Sequence, residues 1–219
     1  VLLQRTTPCL ATTAGKVLAR FAEQVALLES EMLGEVGAPD DPASSHLRLP
    51  IAVNADSLDS WFLAVFETVP NDAAISFDIR TEDQDHSAVL LREGTVMAAV
   101  SASPLPVQGC AVEPLGVMRY LAVTSPAHAA RHFPAGVTAD SLAHAPMLTF
   151  NMKDGLQERF IARFTAEAIR PPTHYIPSAN GFVEVAKRGL GWGMMPELHV
   201  SRALTAGELV EIAPGHHLD

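Results

Sequence analysis

Three carboxylates fall within five residues at Glu82-Asp-Gln-Asp-His86. A cluster of that kind draws an ammonium or guanidinium group, and its own repulsion has to be offset by something positive. The competing reading has Asp85 cap a following helix while Glu82 and Asp83 stay solvated. Other polar groups sit at comparable points of the chain. Asn54-Ala-Asp56-Ser57 offers a helix cap from Asp56 or Ser57 and free backbone N–H groups that suit a carboxylate. Ser101 and Ser103 can donate hydroxyl hydrogen bonds. Asn151 and Asp154 lie in Phe150-Asn-Met-Lys-Asp154, where Asp154 with Gln157 reads as a capping-box variant. Ser178-Ala-Asn-Gly181 presents a further set of N–H groups. Together these groups suit a small zwitterion or anion held without covalent chemistry.

Catalytic and metal-binding patterns do not assemble. Gly189-Leu-Gly191-Trp-Gly193 comes after a helical pattern and enters a strand, the reverse of a dinucleotide fingerprint. Gly189 reads instead as a helix end, and the later glycines as close-packing positions. His128 and His132 have the i, i+4 spacing of metal ligands but no third ligand nearby, so no metal is expected. Cys110 has no histidine partner placed by the pattern, and no Gly-x-Ser-x-Gly elbow exists. No catalytic residue, no cofactor and no enzymatic activity are expected.

The elements that must position the polar groups alternate between strand and helix. Leu47–Val53 reads as a strand, and Leu58, Trp61, Phe62, Val65, Phe66 and Val69 mark one face of a helix. Ile75–Thr81 alternates apolar with polar residues, Ser87–Glu93 is a short helix ended by Gly94, and residues 96–100 form a buried strand. A second set lies beyond these. Strands are expected at residues 119–124, 146–150, 174–177 and 191–195. Helices are expected at Ala139–His144, at 182–188, and through Leu156, Phe160, Ile161 and Phe164. This alternation predicts an α/β fold with mainly parallel sheets in two lobes, joined near residues 114–123 with a cleft between them. Open parallel sheets bind ligands beyond the carboxyl ends of their strands, which is where the polar groups fall.

A helix precedes the lobes, with Thr13 as its expected cap. Leu18, Phe21, Val25, Leu28 and Met32 are spaced by threes and fours, the seam of a coiled coil. The Gly/Pro/Asp/Ser stretch at residues 34–45 separates that helix from the two lobes, so the seam points to pairing with another copy. Of the 219 residues, 48 % are hydrophobic and 18 % charged, enough for compact cores, and the net charge of −10 argues against a grip on phosphate backbone. Two distant cysteines give no disulfide framework. No apolar run reaches the roughly 20 residues of a membrane span, and no signal peptide pattern opens the chain. A cytoplasmic protein without a membrane partner is expected.

Ala11-Thr-x-Ala-Gly15 before a helix, Leu49-Pro-Ile-Ala-Val-Asn-Ala-Asp-Ser57, and Gly181-Phe-x-Glu-x-Ala-x-Arg-Gly-Leu-Gly-Trp-Gly-Met-x-Pro196 stand in that order. The chain thereby resembles the LysR-type transcriptional regulators over nearly its whole length. Val53-Asn-Ala-Asp-Ser57, Glu82-Asp-Gln-Asp-His86, Gly116-x-Met-Arg-Tyr120 and Leu156-Gln-x-Arg159 make it more similar to the branch that senses lysine and arginine and controls basic amino-acid export. The resemblance implies two periplasmic-binding-protein-like lobes behind a linker helix, with a basic amino acid between them. It puts Asn54, Asp56, Ser57, Asp83, Asp85, Ser101, Asn151, Asp154 and Ser178 around that effector. Residues 1–12 are then the remnant of a winged helix-turn-helix, with Arg5 as a DNA contact. Residues 13–33 are the dimerisation helix, 34–46 a linker, 47–118 lobe I, 119–213 lobe II, and 214–219 the start of a return to lobe I. A homodimer or tetramer is implied, reaching DNA only through a winged helix-turn-helix that this sequence lacks. The alternative is a stand-alone solute-binding protein for a small zwitterionic or cationic ligand, which would need an export signal and no pairing helix.

Overall fold

The computed structural model describes residues 1–35, 47–70, 73, 75–82 and 87–219. Most of the expected linker, and Asp83 and Asp85 of the acidic cluster, lie outside the described residues.

The chain opens as an antiparallel ribbon, β1 (Leu3–Gln4) paired with β2 (Leu10–Ala11), and runs directly into α1 (Thr13–Glu35). Thr12 fastens the two together. Its hydroxyl donates to the carbonyl oxygens of Val1 and Leu2, and accepts from the Gly15 N–H at 3.1 Å. Thr12, not the expected Thr13, therefore caps the helix, satisfying one free donor of its first turn while holding the ribbon. Gly15 explains the rest of the Ala11-to-Gly15 motif: a Cβ there would collide with the Leu2 carbonyl oxygen. Along α1, the apolar seam Leu18, Phe21, Val25, Leu28 and Met32 is exposed throughout.

The remaining described chain divides into alternating elements. β3 (Leu47–Val53) leads to the short α2 (Ala55–Leu58), a 3-10 helix (Trp61–Thr68), β4 (Ile75–Thr81), α3 (Ser87–Glu93) and β5 (Ala98–Ala99). These strands form a parallel sheet in the order β4-β3-β5, with Leu47 opposite Ile75 and Val53 opposite Thr81. Ala52 and Val53 are fully buried. The single helix expected from Leu58 to Val69 is instead broken after Leu58. The Ser60 hydroxyl donates back to the carbonyl of Asp56, competing with continuation of the α-helix.

From Tyr120 a second set begins: β6 (Tyr120–Thr124), α4 (Pro126–His132), α5 (Ala139–His144), β7 (Met147–Thr149), α6 (Leu156–Ile161), β8 (Thr173–Tyr175), α7 (Ala179–Lys187), β9 (Gly193–Pro196), α8 (Glu197–Thr205) and β10 (Val210–Glu211). β7 and β8 pair in parallel, and Met147 forms a parallel bridge to Trp192. β9 and β10 add to β6 antiparallel, in the order β10-β6-β9. Successive strand residues point to opposite faces, and both faces are buried here. Tyr120, Ala122, Met147, Trp192 and Met194 join Phe160 and Leu142 on one side. Leu121, Val123, Leu148 and Met195 join Phe182, Ala186 and Val200 on the other. Continuous apolar runs in β6 and β9 result from that double burial.

By contacts the chain falls into two compact units: Val1–Asn54 with Glu67–Glu113, and Ala55–Phe66 with Pro114–Asp219.

Candidate functional site

Asn54 and Ser101 belong to the first unit, at the carboxyl ends of β3 and β5. Both are partly buried, and the Ser101 hydroxyl accepts from the Ser103 N–H at 3.1 Å. The second unit holds Asp56, Ser57, Asn151, Asp154 and Ser178. Ser57 is buried in α2.

Among the candidate residues, Asp56 has a displaced carboxyl pKa. The Tyr120 hydroxyl, at the start of β6, donates to its Oδ2 at 2.7 Å. Burial pushes the Asp56 carboxyl above the usual range, and the Tyr120 bond and the nearby His199 pull it partly back. The Asp154 and Asp59 carboxylates raise it further. Tyr120 itself is held well above the ordinary phenol value, by burial first and then by the Asp56 charge. A cation placed beside Asp56 would oppose this shift, since an opposite charge favours the ionised carboxylate.

Asp154 and Asn151 shape the loop between β7 and α6. Asp154 accepts from the Phe150 and Leu156 N–H groups, each at 3.0 Å, and Asn151 Oδ1 accepts from Lys153 N at 2.7 Å. The expected capping box of Asp154 with Gln157 does not form. Gln157 is fully buried with neither end of its amide hydrogen-bonded, and Thr149 Oγ1 and His199 Nε2 are likewise buried without partners. Buried polar groups without partners are uncommon and call for an explanation. Ser178 caps α7, accepting from the Gly181 N–H at 3.1 Å; the helix begins three residues before Phe182 because that cap defines its first turn.

The glycines behave as close-packing positions. Gly189, just past α7, has φ of +75°, the left-handed conformation that ends helices. A Cβ at Gly191 would lie 2.8 Å from the Pro146 carbonyl oxygen, and one at Gly193 would lie 2.6 Å from the Phe182 ring. His128 and His132 stack their rings with centroids 4.4 Å apart, and among the described residues no group of three or more His, Cys, Asp or Glu could hold a metal ion.

Tyr120, His199 and the buried amide of Gln157 were not singled out as site residues by the sequence. Tyr120 stood in the Gly116-to-Tyr120 motif, but its partner lies 64 residues away and no spacing rule links them.

Known proteins place the chain. The LysR substrate binding domain matches residues 58–218. The HTH-type transcriptional regulator LysG of Mycobacterium tuberculosis is 47 % identical over 216 residues, covering 99 % of this chain and 70 % of LysG. Among solved structures, ArgP from Mycobacterium tuberculosis matches with a TM-score of 0.84 at 48 % identity, over all of this chain and 73 % of ArgP. Full-length LysG from Corynebacterium glutamicum, with bound effector Arg, matches with a TM-score of 0.77 at 37 % identity, over 98 % of this chain and 72 % of that protein. Family match, identity and fold agree: the chain belongs to the LysR-type transcriptional regulators and carries their substrate-binding domain, a periplasmic-binding-protein-like α/β fold.

Proposed function

We propose that this chain is the effector-sensing and dimerising portion of a cytoplasmic regulator that responds to a basic amino acid, L-arginine or L-lysine. The partly buried Asp56, bonded by Tyr120 and raised chiefly by burial, carries the reading: it is a carboxylate that gains by meeting a cation. The bound effector Arg of the Corynebacterium glutamicum relative supports the same ligand class. Asp56, Asp83 or Asp85 meets the cationic side chain, and Ser57 with the backbone N–H groups takes the α-carboxylate. Asn54, Ser101, Asn151, Asp154 and Ser178 complete the polar lining. Binding shifts the population of sensor conformations, and the exposed seam of α1 passes that shift to a second copy. Arg5 contacts DNA, and the regulated gene encodes an exporter of basic amino acids. No reaction is assigned to the chain, and among the described residues no helix is long and apolar enough to cross a membrane.

A thermal-shift screen against the amino acids tests this directly. L-arginine or L-lysine raises the melting temperature by mass action, and neutral and acidic amino acids do not. A response confined to neutral or acidic amino acids would overturn the effector class.

A further inference from the structure

A cavity of about 630 Å³ opens within the second unit, between α4, the end of α7 and the turn after α8. Its wall carries His128, Arg131, His132, Lys187, Arg188 and Glu208. None of these belongs to the candidate effector residues. The volume lies in the range of small-molecule pockets, roughly 300–1,000 Å³. Its charge is unusual for a protein of net charge −10.

The charges do not cancel. Lys187 pairs with Glu184 at 3.1 Å and Glu208 at 2.9 Å, and Arg188 pairs with Glu184 at 3.2 Å. Both carboxylates are thus engaged at one edge of the cavity. Arg131, exposed on α4, has no carboxylate partner among the described residues. On the same helix His128 is only 5 % exposed, and neither ring nitrogen has a hydrogen-bond partner. A neutral imidazole always carries one N–H, so this wall holds a buried donor that donates to nothing. Such a group is costly unless something accepts from it. Burial holds His128 neutral, with its pKa lowered to about 4, and the neighbouring His132 and Arg131 add to that effect. An anion seated against this wall would neutralise the unpaired Arg131.

We propose that this cavity is a second ligand site, for a phosphate-class oxyanion, with Arg131 and Arg188 as its cationic arms and His128 and His132 as its imidazole wall. Guanidinium groups are suited to it because their planar fork meets a tetrahedral oxyanion with two donors at once.

The test titrates the full chain with inorganic phosphate at constant ionic strength, following the histidine ring resonances by NMR. Saturable shifts of His128 and His132 are expected, while His174, exposed on β8, stays still. Arg131→Gln and, separately, Arg188→Gln each weaken the response about tenfold, and both retain the effect of arginine on the melting temperature. A sugar phosphate run in parallel separates the sources: tighter binding than inorganic phosphate identifies an organic phosphate, and equal binding identifies the free ion. Absence of saturable shifts at His128 and His132, or equal affinity in the wild type and both variants, overturns the proposal.

Discussion

Replacing His128 with leucine should change how stability depends on pH far more than it changes stability at neutral pH. The imidazole is buried, stacked on His132 and without a hydrogen-bond partner. Burial, then His132 and Arg131, lower its pKa from 6.5 to about 4. That depressed value sets the sign. Above the unfolded pKa of about 6.5 both states hold a neutral ring and its contribution is whole. As pH falls, the unfolded chain takes up the proton first, so stability drains away until pH passes the folded value. At about 1.4 kcal/mol for each unit between the two values, roughly 2.5 kcal/mol has gone by about pH 4.5. Urea unfolding of wild type and His128→Leu, followed by far-UV circular dichroism at about pH 7.5 and 4.5, measures the difference. Near neutrality the leucine variant should match or exceed the wild type, since it removes unpartnered buried nitrogens worth about 1 kcal/mol or more. At the acid end the wild type should fall behind by a further 2.5 kcal/mol or so. Parallel losses in the two proteins would show that His128 titrates normally, and would refute the buried neutral ring.

Tyr120→Phe removes a hydroxyl that donates to a partly buried carboxylate, and should cost about 1.5–3 kcal/mol at neutral pH by urea unfolding. Asp56→Asn should behave oppositely. Because the folded Asp56 pKa is raised, its favourable contribution is present below the unfolded value and lost as pH rises through the folded one. The variant should therefore gain on the wild type as pH rises, which thermal unfolding across a pH series checks. Phe21→Asp with Leu28→Asp places charge on the exposed seam of α1. Analytical ultracentrifugation should then report a monomer near 23.4 kDa where the unsubstituted chain forms larger species.

Much of the architecture was legible because it rests on local pattern. Strict alternation marked Ile75–Thr81, and Gly94 closed Ser87–Glu93, and both elements stand where expected. Gly191 and Gly193 were legible as contact points because a glycine entering a strand implies a close neighbour. The α4 helix was readable in principle from Ser125 before Pro126, a cap followed by proline at the first helical position, yet its apolar face is too short for periodicity to show. The misplaced cap at Thr12 had a different origin, since the choice between two adjacent threonines depends on where the ribbon lies. Asp154 and Gln157 have the spacing of a capping box, but Asp154 bonds the loop on both sides of itself and Gln157 turns into the core. Asp56 could be picked out as a polar group at a strand end. Its pairing with Tyr120 could not, because a contact across 64 residues is set by the assembled unit and not by either neighbourhood.

Isothermal titration of the chain with L-arginine and with L-citrulline tests the central claim most directly, since citrulline keeps the shape of arginine and lacks its charge. One arginine should bind per chain, with citrulline at least about tenfold weaker because the partly buried Asp56 is left without a cation. Equal affinity for the two, or tighter binding of citrulline, would contradict it.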